Sequence, residues 1–232
     1  WEWAHRFLGR LIGIAFILPL IYFTIKLGFK KLFNLYLIFI LICFQGFLGW
    51  YMVQSGLTND VDVSHFRLSI HLLFAFIILS LIFWNYLKTK VNINLKSTIN
   101  LIFPLGFIFL IFLQIAIGAF VSGMDAGKIY NSWPLMDNSI FPDDNYYSNL
   151  FKLSAFSDPS LVQFIHRKLA YLIGIVYLYL LFKVYKNKMN HLYKSINILG
   201  IFILLQIVLG IFTLLYGAQI LIASMHQISS IF

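Results

Sequence analysis

Residues 99–122 read INLIFPLGFIFLIFLQIAIGAFVS, with no charged side chain anywhere in the run. About 20 consecutive apolar residues suffice for a helix to cross the hydrocarbon core of a bilayer. The run is too long and too evenly apolar for a barrel strand, whose residues alternate between lipid and lumen. Five similar runs flank it, at about 5–25, 33–53, 67–87, 163–182 and 196–216, and a seventh begins near Ala218. The expected fold class is an all-α polytopic membrane protein with the lipid bilayer as solvent. Composition agrees, since 61% of the 232 residues are hydrophobic and 11% charged, against about 45–50% and 25% in soluble domains. In a soluble protein a net charge of +9 would suggest nucleic acid. Here it reads as loop charge that orients the chain, so no nucleic-acid partner is expected. Cys43 stands alone in an apolar run and offers neither a disulfide nor a thiolate metal site.

The charges separate by side. Lys26, Lys30 and Lys31 follow the first run, Lys88, Lys90 and Lys96 the third, and Lys183, Lys186, Lys188 and Lys194 the fifth. The acidic residues, Glu2, Asp60, Asp62, Asp125, Asp137, Asp143, Asp144 and Asp158, all fall on the opposite side. Lysine-rich loops stay inside. The expected orientation puts them in the cytoplasm or matrix and puts the acidic loops, with the long loop 123–162, in the periplasm or intermembrane space.

The chain also repeats. His5-Arg6-Phe7-Leu8-Gly9-Arg10-Leu11-Ile12-Gly13-Ile14 is matched 161 residues later by His166-Arg167-Lys168-Leu169-Ala170-Tyr171-Leu172-Ile173-Gly174-Ile175. At the same offset Gln45 and Gly49 match Gln206 and Gly210, and on the next helix His71 corresponds to His226 at an offset of 155. Gln114 and Gly118 echo the same Gln-to-Gly spacing. The simplest account is two parallel-repeated four-helix bundles, with a first helix missing before Trp1 and the last one truncated at Phe232. The halves divide as 1–96 and 97–232, the second carrying the outer loop 123–162.

Four of the six histidines, His5, His71, His166 and His226, lie inside spans within about two turns of the outer face. Any one of them could be a helix-packing residue, but four at repeated depth point to a shared ligand. Imidazoles from facing helices are the usual way to hold haem iron, and two per half suit six-coordinate iron better than zinc. His5, Gly9 and Gly13 form one stripe on a helix face, repeated by His166, Ala170 and Gly174. Small residues there would let a flat macrocycle lie against the backbone, or let two helices pack closely. Arg6 and Arg167 follow two of the histidines and Arg67 lies one turn before His71. They suit haem propionates, or equally snorkel to lipid phosphate. Glu2 stands three residues before His5, whereas the matching residue before His166 is Gln163. A carboxylate can move a proton and an amide cannot, so the halves are expected to differ in chemistry unless Glu2 only answers the helix dipole. His65 reads as interfacial and His191 as solvated.

Taken together, these residues resemble those of a known family. The run Glu2-Trp3-Ala4-His5-Arg6, the loop GAFVSGMDAGKIYNSWP from Gly118 to Pro134, Gln163 to Arg167, and Met225-His226-Gln227 are similar to haem A synthase, in its mitochondrial and proteobacterial branch. The resemblance covers essentially the whole chain and implies eight helices. It implies oxidation of the haem O C8 methyl to a formyl group, by successive hydroxylation and loss of water, giving haem A for terminal oxidase assembly. It implies that His166 and His226 ligate a resident haem b. His5 and His71 would hold the substrate haem O, with Glu2 catalytic beside it. It further implies haem O synthase and an electron donor as partners, is compatible with a homo-oligomer, and places the protein in a bacterial plasma membrane or mitochondrial inner membrane with haem sites near the outer face. The outer-loop cysteine pair of some members is absent. The competing readings are a bis-histidine membrane cytochrome b that only carries electrons, and a solute-coupled transporter built from parallel repeats.

Overall fold

The structure, a computed structural model, describes residues 2–56, 63–90 and 100–232. The expectations attached to Asp60, Asp62, Lys96 and the boundary after 96 lie outside the described residues. Among the described residues seven α-helices follow in order: α1 (Glu2–Leu27), α2 (Phe33–Gly56), α3 (His65–Lys90), α4 (Ile102–Gly123), α5 (Pro159–Lys186), α6 (Asn190–Leu215) and the shorter α7 (Ile220–Ser229). The first six are long and apolar enough to cross a bilayer. Their outward faces expose large apolar side chains such as Ile25, Ile102, Phe109 and Ile201, which only lipid can solvate without cost. The protein is an integral membrane protein. Among the described residues the only extended pairing is an isolated bridge between Met136 and Ser139.

The chain divides into two compact units, Trp1–Leu95 and Lys96–Phe232. In the first, α1 packs on α2 and α2 on α3. Gly28, at φ 80, turns the chain into a short 3₁₀ segment, Phe29–Leu32, before α2. Thr24 Oγ1 donates to Leu20 O at 2.6 Å and lies 2.7 Å from the Tyr36 hydroxyl, which ties the two helices just past Pro19.

In the second unit α5 is central, packing on both α4 and α6, while α7 packs on α6. Its buried residues Val162, Leu169, Ile173, Leu180 and Val184 recur at spacings of seven and four, one continuous stripe on a helix surface. Phe107 and Ile117 of α4 and Ile196 of α6 complete that core. The turn from α6 to α7 uses Gly217 and Ala218 at φ 64 and 55, with the Ala218 N–H donating to Thr213 O at 2.7 Å, a helix ending built on left-handed residues.

Helix ends differ from the hydropathy runs by about a turn. The clearest case is α5, which begins at Pro159, inside the stretch expected to be loop. Asp158 accepts from the Leu161 N–H at 3.0 Å, and proline occupies the first turn. An N-cap followed by proline at the first helical position marks a helix start that hydropathy does not register.

Candidate functional site

Each of the four histidines lies within the first two turns of an odd-numbered helix: His5 on α1, His71 on α3, His166 on α5 and His226 on α7. In the first unit the rings of His5 and His71 meet edge to face with centroids 6.4 Å apart. Two metal–imidazole bonds of about 2 Å, each added to a ring radius of roughly 1.1 Å, would separate two centroids by about 6 Å. That spacing would allow both imidazoles to hold one metal ion between them.

Three of the four rings are half-buried and keep one buried nitrogen without a hydrogen-bond partner: Nδ1 of His71, of His166 and of His226. A buried polar atom left unpaired is costly unless a ligand completes it. Behind each ring stands a glycine of the preceding helix. A Cβ added at Gly49 would lie 3.0 Å from His71 Cε1, at Gly118 3.2 Å from His166 Cε1, and at Gly210 3.2 Å from His226 Cε1. Gly9 and Gly13, on the helix of His5, and Gly174, on the helix of His166, have no described atom within 4 Å of an added Cβ. Backed rings with unpaired nitrogens and open small-residue faces fit a flat, iron-centred macrocycle. Among the described residues no group of three or more His, Cys, Asp or Glu side chains could cage a bare metal ion.

The remaining candidates find varied partners. Glu2 is exposed and paired with Arg6 one turn on, in the same helix. An exposed pair of this type is weak and readily exchanged. Arg67 lies over the Tyr51 ring, 5.3 Å from its centroid. His65 opens α3 against Phe66, with ring centroids 4.2 Å apart.

Arg167 turns toward the outer loop. Its guanidinium donates to the carbonyls of Tyr130, Ser132 and Leu135 at 2.8, 3.0 and 3.1 Å. Gln163, buried, donates to the same Tyr130 carbonyl at 3.0 Å. It is a loop anchor and not an idle counterpart of Glu2. The loop is packed, with Ala126, Tyr130, Met136, Phe141 and Ala155 buried. The Tyr130 hydroxyl donates to Asp144 Oδ1 at 3.0 Å and the Ser160 hydroxyl to Asp144 Oδ2 at 2.6 Å. Asn131 Nδ2 donates to Leu214 O at 2.9 Å, tying the loop to the end of α6. Desolvation and the bond to Asp144 raise the Tyr130 hydroxyl above its usual range. Desolvation pushes the Asp144 carboxyl up, but the bonds from Ser160, Tyr130 and Asn145 outweigh it and hold the group below its usual range. The motif residues Tyr130, Asn131 and Ser132 thus dock a cap on α5 and α6. These docking bonds were invisible in sequence because their partners lie about 30 or more residues away.

A family model described as cytochrome oxidase assembly protein (COX15-CtaA) matches residues 1–232. The chain belongs to this family. Similar curated proteins named Heme A synthase include one from Pelagibacter ubique, 47% identical over 100% of this chain and 69% of the relative. One from Rickettsia bellii is 44% identical over 99% and 70%, and one from Flavobacterium johnsoniae is 41% identical over 100% and 70%. No solved structure matches the chain.

Proposed function

We propose that this member of the COX15-CtaA family is a haem A synthase, an oxidoreductase that converts the C8 methyl group of haem O to the formyl group of haem A. The observation that carries the reading is the His5–His71 pair, 6.4 Å between ring centroids, in a chain whose relatives bear that name. Taking a methyl to a formyl group consumes one water and releases four protons and four electrons, the electrons leaving to an external electron carrier, so the site must both fix the porphyrin edge and accept protons. His5 and His71 hold the substrate. Glu2, three residues before His5 and paired with an exposed Arg6, takes a proton as the methyl is oxidised, a role worth about a hundredfold to ten-thousandfold in rate.

His166 and His226 would hold a resident haem b, supported by their unpartnered ring nitrogens and the glycines behind them. When bound, that group supplies one-electron transfer to and from the substrate side. The four histidines share one end of the odd-numbered helices, which with the lysine distribution supports haem sites near the periplasmic or intermembrane-space face. Haem O synthase and an external electron carrier are the expected partners. The test is expression with a haem O supply followed by pigment extraction. His5→Leu should lose haem A and keep haem b, while His166→Leu and His226→Leu should each lose the resident low-spin spectrum. Haem A made at the normal level by His5→Leu would contradict the assignment.

A further inference from the structure

Three times along the chain, a glutamine and a glycine one turn apart near the end of one helix face a histidine near the start of the next. The sequence shows them only as landmarks of a repeat, and the structure shows what they touch. Gly49, Gly118 and Gly210 stand where a Cβ would press on the imidazole Cε1 of His71, His166 and His226, at 3.0, 3.2 and 3.2 Å. Small residues in membrane helices usually admit a neighbouring backbone. Here the nearest atoms that such a Cβ would meet all belong to the imidazole ring. Gly46 and Gly106, on the same helices as Gly49 and Gly118, meet nothing within 4 Å, so the contact belongs to these positions and not to glycine in general.

The glutamine completes each arrangement. Gln45 Nε2 donates to the His71 carbonyl at 2.8 Å and Gln114 Nε2 to the His166 carbonyl at 3.2 Å. The same amides lie 3.4 and 3.2 Å from the ring Nε2 of those histidines. In the third copy the carbonyl is reached through a hydroxyl. Gln206 Nε2 donates to Ser229 Oγ at 2.6 Å, and Ser229 Oγ lies 3.1 Å from the His226 carbonyl, to which it donates. One side chain grips the turn that bears the histidine while the glycine fixes how near the ring may come.

We infer that Gln45–Gly49, Gln114–Gly118 and Gln206–Gly210 are positioning residues, each a seat that sets the place and plane of the histidine on the following helix. The inference rests on the reading of these histidines as haem ligands. A ligand ring must be held to about 0.5 Å and 10–20° by residues around it, and partners outside the coordination shell commonly do this. A methyl group at the glycine would push the ring by a few tenths of an ångström and turn its plane against the iron without removing the ligand.

The experiment uses the full chain and two readouts. The first is thermal unfolding in detergent of protein prepared without haem, as a double-mutant cycle of Gly118→Ala with His166→Ala. Gly118→Ala alone should lower the midpoint by about 2–4 °C. In the His166→Ala background the same change should hold or raise it, as Gly106→Ala should in the parent, because alanine is the better helix former once the ring is gone. The second readout is the electron paramagnetic resonance of the low-spin ferric haem, whose largest g value follows the orientation of the two imidazole planes. Gly118→Ala and Gly210→Ala should each move it, and Gly106→Ala should not. No coupling in the cycle would overturn the seat. Coupling with an unmoved g value would leave mere packing and overturn the positioning role. Persistence of the low-spin signal in His166→Leu, with Gly118 intact, would instead show that the ligand assignment beneath the inference is at fault.

Discussion

Arg167→Ala should release the outer loop from α5. The guanidinium donates to three loop carbonyls, of Tyr130, Ser132 and Leu135, at 2.8 to 3.1 Å. After truncation the Tyr130 carbonyl keeps its bond from Gln163 at 3.0 Å, while the other two must find water. A hydrogen bond to a charged group contributes about 1.5–3 kcal/mol net, and partial rehydration reduces the loss of all three to about 2–4 kcal/mol. That corresponds to a rise in the undocked fraction of roughly 30- to 1,000-fold. Chymotrypsin reads it directly, because Tyr130 is 6% exposed in the docked loop whereas Phe151 is 91% exposed. Cleavage after Phe151 calibrates protease access, and cleavage after Tyr130 reports opening, whose rate follows the open population when reclosing is fast. The ratio of the two cuts should rise by at least about tenfold in Arg167→Ala, and by less in Gln163→Leu, which loses one neutral bond. A ratio within about twofold of wild type would refute the claim that Arg167 holds the loop.

Four further outcomes are expected. The Asp144 carboxyl is held low in the folded loop, so its contribution is fully present above the unfolded value of about 3.9 and is lost as pH falls through the folded one. Thermal stability should drop on that acid side, and Asp144→Asn should flatten the drop. Tyr130 is raised, so its contribution is present below its unfolded value and lost on the alkaline side, where Tyr130→Phe should change the profile. Reporter fusions at Lys90 and Asn145 should give opposite sidedness, and the same side for both would break the orientation drawn from the lysines. Glu2→Gln should bind haem as before but lose most formyl product, by about a hundredfold or more in rate. Normal haem A from that variant would reduce Glu2 to the exposed partner of Arg6 seen in the structure.

Much of the architecture was legible because lipid imposes a simple rule, and runs such as 99–122 can satisfy it only as helices. Helix ends were less so. Asp158 and Pro159 mark the start of α5 by capping chemistry, a turn ahead of the first long apolar stretch. The four histidines could be read from depth and repetition, since both are properties of a single helix. The work of Arg167 and Gln163 could not, because it depends on the loop folding back onto α5. From sequence Arg167 is a cation beside a histidine, suited to propionates. The structure gives its guanidinium three backbone carbonyls. The Gln-to-Gly spacing was visible as a repeat, but the imidazole lying against each glycine emerges only when neighbouring helices are brought together.

The central claim, that this chain makes haem A and does not merely carry electrons, is tested most directly by mass analysis of the pigments extracted from the purified wild-type protein after expression with haem O. The expected result is haem b together with haem A or its hydroxylated precursor. Haem b alone, with added haem O recovered unchanged, would contradict the account and leave a membrane cytochrome.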